Sequence, residues 1–456
     1  MNPQTLRLIS APISNAYQKT SRYRAYPPLN ISALAAFIAD KLPDVQLEVI
    51  DGDIGTPDQL PGEPIPQVTA ISCNILTYES SLTIATKAYE AGSKVLLGGP
   101  FPTLRPEAIL QNQPYIDAVV VGEGEISLSD YCLGRPYESI PGLVYRQQDG
   151  MIVANPPAML DLNSLPFPDY ARLPLERYFD SFAERYNRFK PFQKSLAVYS
   201  RKGCVWRDKS NGGCVFCTIP HAGVRHKKPV RFWEEIGFLR TTYGVTHFWE
   251  VCDTFTEDPK WIDELLRTKP TDLEVSFQIY GRPNHITPRM ARQLKQLGVY
   301  EVFIGAESGD DTILEFGNKG CKTDHTRRGI EALANVGLNA IVSFVLGLPG
   351  ETSKTLQKTI DFARELYSFG NIVETSSSIL LPIPGSTSFR MLMEIPGMTQ
   401  KHASDLLELE ELKLDWCKHY TFVSYDELNH ALKETLEIFP LNDTFQQSGL
   451  QSAPMC

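Results

Sequence analysis

Histidine is absent from the first 220 residues of this chain; the first of its eight stands at position 221. The N-terminal half therefore lacks the side chain that most often ligates a transition metal and most readily titrates near neutral pH. Long apolar runs are absent as well. No stretch approaches the ~20 residues that a bilayer-spanning helix needs. The opening MNPQTLRLISAP lacks the charged n-region and apolar h-region of a secretory signal. An excess of positive charge is also missing: 44 Lys and Arg stand against 54 Asp and Glu, a net charge of -10. That balance argues against a nucleic-acid surface as the main partner. Neither an internal repeat nor a low-complexity tract is present. These absences lead us to expect a cytoplasmic protein with no nucleic-acid and no membrane partner. Its nine cysteines are then thiols or metal ligands rather than disulfides.

What is present reads as a large α/β protein. A chain of 456 residues, 42% hydrophobic and 21% charged, is expected to form two or three globular domains at ~100–200 residues each. In the first part, the apolar runs LRLIS, LEVI, VTAISC, KVLLGG and IDAVVVG alternate with the helical patterns ISALAAFIADKL, SSLTIATKAYEA and PEAILQ. That alternation predicts a doubly wound parallel sheet with ligands at the carboxyl ends of its strands. GLVYR and MIVAN flank QQDG as a hairpin. The Pro-rich LNSLPFPDYARLP reads as a linker, which puts the domain boundary near Asp169.

From Ser195 the alternation resumes, with strands over SLAVYS, THFWEV, LEVSFQI, YEVFIG, NAIVSFVLG and VETSSSILL. Six βα units predict a partial (β/α)6 TIM-like barrel whose site lies at the strand C-termini. ASDLLELEELKLDWCKHY and SYDELNHALKETLEIF then predict helices that pack on the barrel, before a polar, loose tail. The expected divisions are 1–136 for the first sheet, 137–190 for hairpin and linker, 191–389 for the barrel and 390–456 for the helical region.

The chemistry is concentrated in KGCVWRDKSNGGCVFC, where Cys204, Cys214 and Cys217 have the spacing C-x9-C-x2-C directly after the first barrel strand. A structural zinc completed by His221 or His226 is one reading, and three unrelated cysteines are another. The reading we favour is a [4Fe–4S] cluster held by three thiolates. Three ligands leave one of four irons open for a bidentate amino-carboxylate. The loop between the thiols is rich in Gly, Asn, Lys and Asp and predicts an exposed excursion rather than core.

These residues resemble the radical S-adenosylmethionine superfamily, whose usual signature is C-x3-C-x2-C with an aromatic residue before the last cysteine. Phe216 precedes Cys217 here, and the first gap is nine residues rather than three. FIGAESGDDTIL followed by NKG resembles the fourth-strand region of that superfamily, which implies that Glu307 and Ser308 contact the nucleoside or methionine part of S-adenosylmethionine. VLGLPGET resembles the later strand end, which implies that Gly347, Leu348 and Pro349 line the adenine. WEVCDTFTEDPKW occupies the second-strand position. Relatives often carry Asp-Asp-x-Phe there, and this chain has Cys252-Asp253-Thr254-Phe255. The resemblance makes Cys252 and Asp253 candidates for the catalytic pair, with Cys252 as a quencher of a substrate radical. Arg282 follows the third strand and is suited to pair with a ligand carboxylate. The resemblance spans roughly residues 190–390.

LLGGPFPTLRPEAIL and IDAVVVGEGE resemble the cobalamin-binding domain that precedes many such enzymes. It implies a site built from Ser72, Thr77, Gly98, Gly99, Pro100, Gly122, Glu123 and Glu125, with glycines allowing close backbone approach. With no histidine in this stretch, no residue of it supplies the lower axial imidazole of mutase-type domains. The methylthio-transferring branch brings extra N-terminal cysteines, whereas Cys73 and Cys132 here lie in apolar surroundings. The resemblance thus implies a cobalamin-dependent C-methyltransferase that acts on an unactivated carbon of a small molecule or natural-product precursor. Its cofactors are a [4Fe–4S] cluster, S-adenosylmethionine and cobalamin, and its reductant is a flavodoxin or ferredoxin. Two alternatives stand beside it. One is radical chemistry without methyl transfer: dehydration, epimerisation, decarboxylation or ring rearrangement. The other is a zinc-stapled binding module. Tyr199 and Tyr280 read as site lining, and Cys321, Cys417 and Cys456 as plain thiols.

Overall fold

The computed structural model describes residues 5–13, 25–54, 64–185, 192, 194–210, 212–219 and 223–439. The expected polar tail and His221 lie outside the described residues. The chain divides into two compact units, 1–193 with 401–407, and 194–400 with 408–456.

The first unit is a seven-stranded sheet in the order β2-β1-β3-β4-β5-β6-β7. Its strands are β1 (Thr5–Ser10), β2 (Gln46–Asp51), β3 (Val68–Ser72), β4 (Lys94–Gly98), β5 (Ala118–Val120), β6 (Leu143–Arg146) and β7 (Ile152–Ala154). The first five run parallel, and β6 and β7 join antiparallel. Continuous apolar runs fit strands covered on both faces. Leu6, Leu8 and Leu96 pack with Ile31, Ala35 and Ile38 of α1 (Leu29–Lys41). Ile9, Val95 and Leu97 pack on the opposite face with Leu82 and Ala85 of α2 (Tyr78–Glu90). After β4 come α3 (Pro100–Leu104) and α4 (Pro106–Asn112), and after β5 comes α5 (Gly124–Cys132). The strand order reverses direction between β1 and β3, so the ligand-binding crevice of a doubly wound sheet falls at their carboxyl ends.

Two expectations about this region change. The hairpin, expected outside the first sheet, belongs to it, because β6 extends that sheet along β5. Nor does the chain leave the unit near Asp169, whose amide donates to the Ser32 carbonyl at 3.0 Å. Leu165, Tyr170 and Leu173 are buried, and Tyr178 of α6 (Leu175–Arg185) donates its hydroxyl to Asp51 at 2.6 Å. The apolar side chains spaced between the prolines hold the segment on the sheet, so the first unit runs on to residue 193.

The second unit is an open barrel of six parallel strands in the order β15-β14-β13-β12-β11-β8. They are β8 (Ser195–Val198), then after the short pair β9 (Arg201–Lys202) and β10 (Arg225–His226), β11 (His247–Glu250), β12 (Ser276–Gly281), β13 (Val299–Glu307), β14 (Asn339–Leu346) and β15 (Ile372–Thr375). A seventh strand, β16 (Ser378–Ile379), pairs with the end of β14. Helices α7 (Val205–Lys209), α8 (Pro229–Tyr243), α9 (Pro259–Arg267), α10 (Pro288–Leu297), α11 (Asp311–Phe316), α12 (Thr323–Ala334) and α13 (Ser353–Tyr367) occupy the connections. Then follow α14 (Thr387–Met393), α15 (Met398–Lys401), α16 (Leu409–Tyr420) and α17 (Tyr425–Glu437). Parallel pairing puts every strand's carboxyl end on one rim. Among the rim residues are the loop with the three cysteines, Asp253, Arg282, Glu307 and Gly347.

The helix expected from Ala403 starts only at Leu409. Residues 401–407 instead belong to the first unit. The Asp405 carboxylate, 2% exposed, accepts the Tyr78 hydroxyl at 2.5 Å and the Gln113 amide at 2.7 Å. Arg105 donates to the carbonyls of His402, Ala403 and Ser404. Ser404 accepts the Leu406 amide at 3.1 Å, a local bond that competes with helix. His402, 4% exposed, therefore brings a histidine into a unit expected to have none. Burial, and then the Asp405 carboxylate, hold the Tyr78 phenol far above its ordinary range, so it stays a donor. Asp405→Ala leaves that hydroxyl buried without its acceptor, at a cost of about 1–3 kcal/mol. Hydrogen exchange followed by mass spectrometry is expected to show protection lost at 401–407 and kept in β1 to β4.

Candidate active site

The nine residues between Cys204 and Cys214 form structure of their own. Cys204 is the residue preceding α7, next to the amides of Arg207 and Trp206. Burial raises the Cys204 thiol, and those amides pull it back. The Trp206 indole donates to the Asn318 carbonyl at 2.8 Å, and its ring lies 5.3 Å from the Arg282 guanidinium. The Asn318 side chain donates to the carbonyls of Ser210 at 3.1 Å and Gly213 at 2.7 Å. The loop closes with Val215 donating to Gly317 at 3.0 Å and Ser388 donating to Val215 at 2.8 Å. The Asn-Lys-Gly segment, Asn318 to Gly320, thus grips the long gap. Asn318 itself adopts φ 49°.

Gly320 has φ 69°, and a Cβ there would overlap the Trp206 ring. Gly320→Ala is therefore expected to displace Trp206 and to cost about 1–3 kcal/mol. Intrinsic tryptophan fluorescence and the thermal midpoint report the two effects.

Arg282, expected to meet a ligand carboxylate, reaches Cys214 Sγ at 3.9 Å and donates to the Lys319 carbonyl. Burial alone would lower it, but the surrounding thiols of Cys214, Cys321 and Cys204 raise it. Lys319 pairs with Glu307 at 2.7 Å, both buried. Glu307 sits at φ 62°, at a register break between β13 and β14, and accepts the Ser343 hydroxyl at 3.3 Å. Gly305 is required beneath it, since a Cβ there would overlap the carboxylate. Ser308 points elsewhere: its hydroxyl lies 3.2 Å from Thr359 Oγ1 and accepts the Asp310 amide. Phe216 is half-buried beside Cys217, whose amide donates to Cys214 at 3.0 Å.

Cys252 and Asp253 are engaged by neighbours. The Cys252 thiol donates to Glu250 Oε2 at 2.7 Å, and Asp253 accepts the Gly203 amide at 2.7 Å. Sequence reasoning missed His285, which burial and then Arg282 hold down at about 4, so the ring is neutral at physiological pH. It also read Cys321 as a plain thiol, yet Cys321 is buried within the electrostatic reach of Arg282, Lys319 and Cys214. No local pattern marks either residue. Tyr280 joins Trp249 and Phe303 in an aromatic row, and Tyr199 lies under Lys227.

The Gly-Leu-Pro-Gly turn after β14 is held from behind. Gly347 has φ 82°, and its carbonyl accepts the Trp416 indole at 2.7 Å. Gly350 donates to the Tyr420 carbonyl at 2.8 Å, Leu348 is buried and Pro349 is half-buried. Next to it, Glu351 is fully buried, takes the Thr355 hydroxyl at 2.6 Å and is pushed by burial up to about 7. Below its ordinary value the carboxyl is neutral, folded or unfolded. As pH rises from about 4.5 to about 7 the unfolded chain ionises first, so this residue's contribution to stability falls and then levels off. Glu351→Gln removes that loss, and above pH 7 its barrel is expected to be more stable by on the order of 3 kcal/mol. Urea unfolding at pH 4 and pH 8 checks this, with the difference appearing at the higher pH.

In the first unit, pairing sets Ser10, Ser72 and Gly98 side by side on three adjacent strands at their carboxyl ends. A Cβ on Gly98 would meet nothing closer than 3.8 Å, which leaves an open ledge. Gly99 is different: φ is 101° and a Cβ would come 2.6 Å from the Cys73 carbonyl oxygen, so that glycine serves packing. Pro100 opens α3. Ser72 accepts the Asn30 amide at 2.7 Å, and Thr77 accepts the Asn74 amide at 3.0 Å. Gly122 donates to Thr103 at 3.1 Å, Glu123 accepts the Leu160 amide at 3.0 Å, and Glu125 is buried.

Among the described residues, no three His, Cys, Asp or Glu side chains converge on a point that would hold a single metal ion. A cubane sets a different requirement, because its three thiolates bind three separate irons. The donors fit that case. Three cysteines outside any disulfide share one pinned loop, with buried Arg282 beside Cys214 and buried Lys319 within its electrostatic reach, cations suited to a negatively charged cluster. The row of small residues at the first sheet's switch point likewise fits a large flat ligand.

Residues 203–363 match the family described as the Radical SAM superfamily, and residues 20–131 match the B12 binding domain. An uncharacterised methyltransferase of Pyrococcus horikoshii is 28% identical over 427 residues, 90% of this chain and 85% of that protein. The cobalamin-dependent S-adenosylmethionine radical enzyme OxsB, solved with aqua-cobalamin and S-adenosylmethionine, superposes with a TM-score of 0.70 at 17% identity, over 94% of this chain and 66% of its own. The radical S-adenosylmethionine methyltransferase TsrM from Kitasatospora setae, solved with cobalamin and a [4Fe–4S] cluster, gives 0.64 at 17% identity, over 87% and 76%. The fold and site define a radical S-adenosylmethionine enzyme. Along the chain, a match to the B12 binding domain precedes the match to the Radical SAM superfamily.

Proposed function

We propose that this protein is a cobalamin-dependent radical S-adenosylmethionine C-methyltransferase acting on an unactivated carbon of a small molecule or natural-product precursor. The observation that carries the reading is one chain with both halves of the apparatus. A doubly wound unit has an open row of small residues at its switch point, and a barrel rim carries three thiols beside buried cations. When bound, the cluster supplies an electron that opens S-adenosylmethionine to a carbon radical, and cobalamin supplies the methyl group.

The chain's own residues hold and shield. Cys204, Cys214 and Cys217 would hold the cluster. Arg282 and Lys319 offset its negative charge, and Glu307 anchors Lys319. The turn from Gly347 to Pro349, fixed by Trp416, would form the wall against the adenine. Trp249, Tyr280 and Phe303 line the barrel with apolar surface that keeps water from a reactive carbon. Ser72, Gly98 and the turn from Gly122 to Glu125 would border cobalamin. The reductant is a small acidic carrier such as flavodoxin or ferredoxin, and the compartment is the cytoplasm, which suits cysteines kept outside disulfides.

Anaerobic reconstitution with iron, sulfide and cobalamin tests the reading. About four irons and one cobalamin per chain are expected, and Cys204→Ala, Cys214→Ala or Cys217→Ala is each expected to lose the cluster's visible absorption. A chain that takes up iron but no cobalamin would move the reading to radical chemistry without methyl transfer. One tight zinc in place of iron would overturn it.

A further inference from the structure

Three carboxylates at the end of β11 share one task. Glu250 accepts the Ser200 amide at 2.5 Å, Asp253 the Gly203 amide at 2.7 Å and Glu257 the Val205 amide at 2.6 Å. The donors lie on the stretch that leaves β8, and Cys204 stands between the last two. Gly203 has φ 91°, and a Cβ there would overlap the Gly223 carbonyl, so the chain reaches Cys204 by a path that only glycine follows easily. Arg201 Nη1 lies 3.6 Å from Glu257 Oε2, both buried, which compensates that carboxylate. The Cys252 thiol is spent on Glu250. A group of this kind, buried and hydrogen-bonded to backbone, is badly placed to meet a substrate.

We propose that Glu250, Asp253 and Glu257 are positioning residues for the first cluster ligand: by engaging the amides of Ser200, Gly203 and Val205 they aim Cys204 and keep those three amides off its sulfur. The inference rests on the cluster reading above. Two consequences follow. A ligand held before the metal arrives loses less freedom on binding. Hydrogen bonds to cluster sulfurs shift the reduction potential, so amides tied to carboxylates leave the cluster harder to reduce than amides turned toward it.

The reconstituted holoenzyme tests this, with Asp253 and Glu257 treated separately so that a variant that does not fold leaves the other decisive. Two quantities are read: the midpoint potential of the one-electron couple by EPR titration, and the rate of iron loss to a ferrous chelator. Asp253→Ala and Glu257→Ala are each expected to speed iron loss about tenfold. Each is also expected to ease reduction about tenfold, which is about 59 mV upward. Asp253→Asn and Glu257→Gln keep an acceptor oxygen and are expected to restore both values to within about twofold. Unchanged potential and iron loss in the alanine variants, with only turnover impaired, would overturn the proposal and return Asp253 to the substrate side. Cys204→Ala separates the two levels. If it keeps its full iron, the cluster reading itself fails, whatever the carboxylate variants do.

Discussion

Among its described residues, the loop from Lys202 to Cys217 forms regular structure only at Lys202 and in α7, and its buried amides and carbonyls must still be satisfied. That requirement organises the barrel rim. β11 supplies carboxylates for the amides around Cys204. The Asn318–Gly320 segment supplies an acceptor for Trp206, donors for Ser210 and Gly213, and a flat glycine under the indole. The first turn of α14 closes the loop through Ser388. A short C-x3-C loop would need fewer such supports. The nine-residue gap is therefore a helical turn with its own docking surface, built from segments that a shorter loop would leave exposed.

Charge follows the same logic. Arg282 and Lys319 are buried cations, and each would be unfavourable alone. Lys319 is compensated by Glu307, and Glu307 adopts a left-handed backbone at a break in strand register to reach it. Arg282 is compensated by thiols that a cluster would turn into permanent anions. The rim thus holds one cation paired within the protein and one, Arg282, whose full partners would arrive with the cofactor. This places strain and buried charge together at the ends of β12 and β13, as sites prepared for a ligand do.

At the far end of the chain, one short stretch serves both units. Residues 401–407 lie in the first unit, fixed by Asp405, Tyr78 and Arg105. Nine residues past Leu407, Trp416 holds the carbonyl of Gly347 in the second unit. The polypeptide therefore passes between the units at 193–194, at 400–401 and again at 407–408.

The sequence by itself determined the two sheets, because parallel strands covered on both faces must be written as apolar runs, and helices between them as apolar residues at helical spacing. It also located the loop with the three cysteines and the motifs at later strand ends, since glycines and charged residues interrupt those runs where backbone turns and polar groups must meet. It misjudged residues 162–174, where the prolines spoke louder than the buried Leu165, Tyr170 and Leu173. It also ran a helix through 403–407, where Asp405 has a distant partner in Tyr78. Only the tertiary structure decided that Asp253 faces Gly203 rather than open space, that Cys321 lies within electrostatic reach of Cys214, and that Gly320 leaves room for Trp206. Those facts depend on which groups meet across fifty or more residues of chain, and a hydrogen bond or a steric gap between distant segments leaves no period or spacing in the sequence to read.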